Sequence, residues 1–115
     1  MPVVFVIASD WTLRTSVRAE LRELGVAALG MESADEVGRA LAQGQMPSAI
    51  VLEAAVPATS DPAMQKLVQR IPTVLIASRT ETLDMPPVAA VFYRPVRIGE
   101  IVARVDELLR QPRPA

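Results

Sequence analysis

With 115 residues, half of them hydrophobic and 22% charged, the chain is long enough to bury a core as one domain without staples. Its net charge of -1 gives no general attraction for nucleic acid or an anionic membrane surface. It has no Cys, which excludes disulfides, thiolate metal sites and Cys nucleophiles, and no His, which removes the commonest general base and zinc ligand. Most enzyme classes are thereby argued against.

The apolar run Val3 to Ala8 is too short to span a membrane and has no basic region before it, so it is not a signal peptide. The expectation is a cytoplasmic protein with no membrane association. As a continuous β-branched stretch, this run predicts a central parallel strand. After Ser9-Asp10, apolar residues at Leu13, Val17, Leu21 and Leu24 alternate with Arg14, Arg18, Glu20, Arg22 and Glu23, which predicts an amphipathic helix stopping at Gly25.

Val26 to Gly30 reads as a second strand. Ser33-Ala-Asp-Glu36 is a capping box opening a helix that turns Ala34, Val37 and Leu41 inward and stops near Gly44. Ser48 to Glu53, an apolar run ending in a carboxylate and followed by Pro57, predicts a strand buried on both faces. Asp61-Pro62 then supplies an N-cap and a first helical residue for a short helix with Met64, Leu67 and Val68 inward.

Pro72 closes that helix, Thr73 to Ala77 predicts a fourth strand and Ala89 to Tyr93 a fifth. The interval from Ser78 to Val88 holds Pro86 and Pro87, whereas parallel neighbours need a crossover of roughly a dozen residues, commonly a helix. The fourth helix is therefore expected to be stunted or missing. Beyond Arg94-Pro95, the stripe Ile98, Ile101, Val102, Val105, Leu108 and Leu109 predicts a last helix. The prolines of 111–115 cannot continue it, leaving 1–110 as one domain and 111–115 as a tail or the start of a linker. Alternation of strand and helix predicts an α/β doubly wound parallel sheet of five strands, and ligands of such sheets gather outside the carboxyl ends of the strands, where Glu53 falls.

This order, with its signatures at the strand ends, resembles the receiver domain of bacterial response regulators, the flavodoxin-like phosphoacceptor module of two-component signalling. In such receivers the first strand ends in two Asp that hold Mg²⁺, the third in the phosphoacceptor Asp with Pro four residues on, the fourth in Thr or Ser, and the fifth in Lys-Pro. The resemblance sets the acidic pair on Ala8 and Ser9, with Asp10 one place beyond, and the phosphoacceptor position on Glu53, with Pro57 at the expected spacing. The Thr or Ser position falls on Ala77, beside Ser78, and the aromatic switch position on Val91, with Phe92 and Tyr93 close by. Lys-Pro becomes Arg94-Pro95, for which the resemblance implies a cis peptide.

Phosphoryl transfer to a carboxylate needs Mg²⁺, usually held by one or two carboxylates, which Ala8 and Ser9 do not supply. Glu53 carries its oxygens one methylene further out than Asp, more than the roughly 1 Å misplacement that costs about a hundredfold in rate. Arg94 prefers bidentate carboxylate geometry, so an internal Glu53 to Arg94 ion pair is expected. The reading is a phosphorylation-independent pseudo-receiver, a protein-protein interaction module that is not an enzyme and has no cofactor and no metal site. Its expected partners are proteins: a kinase, an output domain or a second copy, with no direct nucleic acid binding.

Several positions stay open. Asp10 is a helix cap in preference to a metal ligand, and Glu53 is either functional or a solvated loop residue. Ser9 and Ser78 are loop hydroxyls bonding nearby backbone. Trp11 either anchors a partner or fills space at the altered acidic loop. A still-switchable receiver, in which Asp10 and Glu53 bind metal and phosphoryl, and the N-terminal regulatory domain of a larger transcription regulator are the competing functions. A nucleotide or flavin site is disfavoured, because Ala8-Ser-Asp-Trp-Thr12 contains no Gly. In receivers the face made by the fourth helix, fifth strand and fifth helix is the usual partner or dimer surface. With the fourth helix stunted, that surface must differ here.

Overall fold

The computed structural model describes residues 2–81, 83 and 85–111. Five parallel strands, β1 (Val3–Ile7), β2 (Ala27–Met31), β3 (Ala49–Glu53), β4 (Thr73–Ala77) and β5 (Ala90–Tyr93), form one sheet in the order β2-β1-β3-β4-β5. The helices are α1 (Trp11–Glu23), α2 (Ala34–Ala42), α3 (Pro62–Arg70) and α4 (Ile98–Arg110), with a 3-10 turn over Pro57–Ser60. The expected doubly wound α/β sheet is present. Strand ends differ from the sequence reading by a residue: Ala8 lies past β1, Val26 and Ser48 before β2 and β3, and Ala89 before β5.

Side chains alternate across a strand, so each central strand feeds two cores. Val4, Val6, Ala49, Val51, Val74 and Ile76 pack with Leu13, Val17 and Leu21 of α1 and Ile101, Val102 and Val105 of α4. Phe5, Ile7, Ile50, Leu52 and Leu75 pack on the other face with Val37 of α2 and Met64, Leu67 and Val68 of α3. All five residues of β3 and of β4 are buried, as continuous apolar runs require. Leu24 departs from its predicted inward stripe: it is the C-cap of α1 and is exposed, because the chain leaves the helix there through Gly25 at φ 79°.

The caps follow the sequence in two of three cases. Asp10 Oδ1 accepts from the Leu13 N–H and Asp61 Oδ2 from the Met64 N–H, each at 3.1 Å. Ser33 Oγ accepts from the Glu36 N–H at 3.2 Å, but Glu36 Oε2 takes the Glu32 N–H at 2.9 Å, one residue upstream of the reciprocal bond the capping box calls for.

Between β4 and β5 the described residues form no helix. Leu83, Met85 and Val88 pack against the core on the α2 and α3 side and stand in for one. Their cover stops short of β5. Ala90 and Phe92 pack toward α4, whereas Val91 and Tyr93 on the opposite face are exposed. The tail assigned to 111–115 lies, apart from Gln111, outside the described residues.

Candidate functional site

The carboxyl ends of β1, β3 and β5 bring together four of the residues singled out in the sequence. Glu53, the last residue of β3, is 6% exposed, so the solvated-loop alternative does not hold. Its Oε1 accepts from the Ser9 N–H and the Ser9 hydroxyl, both at 2.9 Å, and from the Asp10 N–H at 3.3 Å. Its Oε2 accepts from Arg94 Nη2 in the expected ion pair. Arg94 Nη1 also reaches Asp10 Oδ2 at 3.6 Å. The guanidinium therefore bridges a buried carboxylate to a half-exposed one, and its own side chain stays 39% exposed.

Each side chain is placed by a local device. Glu53 is carried by a strand paired on both sides, to β1 and to β4. The Ser9 and Asp10 amides point at it because the chain leaves β1 there and turns into α1. That turn is held by the Asp10 cap and by Arg14 Nη1, which donates to the Ala8 carbonyl at 2.7 Å and to Glu32 Oε1 at 3.1 Å. Arg94 follows β5, its N–H donating to the Ala77 carbonyl at 2.8 Å, and precedes a cis peptide to Pro95, as expected.

Other predicted positions stay outside the cluster. Ala8 and Ala77 are buried apolar packing at the strand ends. Ser78 closes its own loop through side chains and not through the nearby backbone expected of its hydroxyl: its N–H donates to Glu81 Oε1 at 2.6 Å and its hydroxyl meets the Thr80 hydroxyl at 3.0 Å. Ser9 also departs from that expectation, since its hydroxyl bonds a side chain 44 residues away and not nearby backbone. Sequence periodicity carries no signal for such a contact, nor for the clamp that Arg14 puts on the Ala8 carbonyl. Val91 lies on the exposed face of β5. Trp11 is 67% exposed at the first turn of α1, which removes the space-filling alternative.

An open cleft of about 480 Å³ lies beside the cluster, lined by Glu32, Ser33, Asp35, Pro57, Ser60 and Asp61 among others, and none of Ser9, Asp10, Glu53 or Arg94 lines it. The hydrogen bonds and burial centre the site on Glu53, not on this cleft.

No family model matches the chain, and no curated protein does. Solved structures match it along its whole length. A response regulator receiver protein from Burkholderia phymatum is 20% identical over 100% of both chains, with a TM-score of 0.76. The non-phosphorylated HemR receiver domain from Leptospira biflexa is 13% identical over 100% of this chain and 99% of its own, at 0.77. The N-terminal domain of a response regulator/sensory box/GGDEF 3-domain protein from Carboxydothermus hydrogenoformans is 12% identical over 94% of each chain, at 0.74. The fold is that of the response-regulator receiver domain.

In this receiver fold the Glu53 cluster occupies the rim outside the carboxyl ends of the strands, where open α/β sheets gather their ligands. No helix of the described residues is long and apolar enough to cross a membrane.

Proposed function

We propose that the chain is a phosphorylation-independent pseudo-receiver, a protein-protein signalling module in which Glu53 stands at the phosphoacceptor position. What supports this reading is the engagement of both Glu53 oxygens: three donors hold Oε1 and the Arg94 guanidinium pairs with Oε2, so attack on a phosphoryl group would have to break the ion pair. The residues present do not fit a magnesium ion. A divalent cation takes carboxylate oxygens and water, and the carboxylates of Asp10 and Glu53 are already joined by a fixed cation, the guanidinium.

Glu53 carries one negative charge where an acyl phosphate carries nearly two, and Arg94 matches that single charge. The rim is then held in one state without a phosphoryl donor, and Glu53→Gln changes partner binding. Partners of this module are proteins, a kinase, an output domain or another copy, met in the cytoplasm without contact to nucleic acid or membrane. Exposed Trp11, beside the cluster, is the anchor for such a partner. Residues 1–110 make the module and 111–115 a tail or the start of a linker. A place at the N-terminus of a longer regulator is favoured by one observation, the likeness to the N-terminal domain of a three-domain protein.

The test is an amide NMR titration with Mg²⁺ followed by beryllofluoride, a phosphoryl mimic. The expected result is no shift at Ser9, Asp10, Glu53 or Arg94 at millimolar Mg²⁺. Saturable shifts that vanish in Asp10→Asn would overturn the reading in favour of a switchable receiver built on Asp10 and Glu53.

A further inference from the structure

Helices α2 and α3 lie side by side on one face of the sheet, where Val37 packs in one core with Met64, Leu67 and Val68. Each helix begins past the carboxyl end of a strand, so both N-termini open at the same rim, capped by Ser33 and Asp61.

The two helices do not close on each other. A small apolar groove of about 60 Å³ runs between them, floored by the buried side chains of Val37, Met64 and Leu67, with Ala34, Gly38 and Ala63 along its lips. Gly38 stands in the middle of α2, its φ is not positive, and a Cβ built on it meets no atom within 4 Å. Neither a turn nor a close approach asks for glycine there, and a glycine inside a helix is less stable than alanine. Its physical effect is to leave the groove open from above.

At the rim the groove runs into the open cleft of about 480 Å³, since Ala34 and Asp61 line both. The cleft adds the carboxylates of Glu32 and Asp35, and no cationic side chain among the described residues lines either hollow. Glu32 Oε1 pairs with Arg14, and Asp61 Oδ2 caps α3. The Asp35 side chain makes no hydrogen bond or ion pair among the described residues. Even with Glu32 neutralised by Arg14, Asp35 and Asp61 outweigh the roughly half unit of positive charge at each of the two helix N-termini.

The apolar part is far smaller than the roughly 300–1,000 Å³ of small-molecule sites, and the carboxylates repel nucleotides and other phosphate-bearing ligands. An apolar slot for one side chain that opens into a negative cleft complements a peptide carrying an apolar anchor beside cations. We propose that groove and cleft together are a docking site for a basic segment of a protein partner, with one large apolar side chain seated between α2 and α3 and neighbouring Arg or Lys side chains reaching Asp35 and Asp61. None of Ser9, Asp10, Glu53 or Arg94 lines either hollow, so this inference does not rest on the reading of Glu53.

The test is amide NMR of the full chain titrated with a short synthetic peptide, one Leu followed by Arg residues among Ala. The expected result is saturable shifts at Asp35, Gly38, Ala63 and Leu67 that weaken as salt is added. The same peptide with Ser in place of Leu, or Glu in place of Arg, should give none. Gly38→Leu fills the groove from a position with open space for its Cβ, and Asp35→Arg sets like charge against the peptide. Each should weaken binding roughly tenfold or more, with circular dichroism showing both variants folded. No saturable shift at millimolar peptide overturns the inference. So does binding that survives the loss of Leu or that either variant leaves unchanged, and so do equal shifts with Mg²⁺ alone, which would make the cleft a cation site.

Discussion

Replacing Arg94 by Met keeps much of the stem and removes the cation from Glu53. Breaking a buried pair from one side typically costs 3–5 kcal/mol, because a charge is left without compensation. Two features of this site lower that figure. Arg94 is 39% exposed, so water takes part of its role, and Oε1 of Glu53 keeps its bonds to Ser9 and Asp10. Only Oε2 loses its partner, and a hydrogen bond to a charged group is worth about 1.5–3 kcal/mol. The expected loss is therefore about 1–3 kcal/mol. For a chain of 115 residues with an unfolding entropy of about 2.1 cal/mol/K per residue, this lowers Tm by roughly 4–12 °C. Urea unfolding of the wild type, Arg94→Met, Glu53→Gln and the double variant closes a double-mutant cycle. The double variant should lose less than the sum of the singles, by about 1 kcal/mol or more. A coupling clearly below about 1 kcal/mol, the range of exposed surface pairs, would refute the claim that this ion pair fixes the rim.

Asp10→Ala removes both the α1 cap and the contact to Arg94, and should cost about 1–2 kcal/mol in urea unfolding, whereas Asp10→Asn keeps the cap and should cost clearly less. Trp11→Ala should leave stability within about 0.5 kcal/mol, because the side chain is mostly exposed, while abolishing or weakening capture of the protein partner in a pull-down. Gly25→Ala places a Cβ at φ 79° and should cost about 1–2 kcal/mol although no atom stands within 4 Å, a loss visible as a lower urea midpoint at unchanged slope.

The elements were legible in the sequence because their signals are local. Continuous apolar runs such as Ile50 to Leu52 can be strands buried on both faces, and a stripe such as Ile101, Val102, Val105 and Leu108 has one inward side whatever it packs against. The short interval after Ala77 announced the missing helix by length alone. Strand-end positions were harder. The receiver resemblance set Glu53 and Arg94 at the same rim, and the guanidinium's preference for a carboxylate made them a pair, but for Ser9 the sequence offered only its local backbone.

Composition and periodicity by themselves determined that this chain folds as alternating strands and helices with its chemistry confined to a few carboxylates and arginines. Tertiary structure alone decided which donors reach Glu53, that Trp11 and Leu24 face water, and that Val91 and Tyr93 lie on the exposed face of β5. The physical reason is one of range. Periodicity fixes which side of an element is apolar, whereas a contact across 41 or 44 residues depends on which strand ends the sheet order brings to one rim.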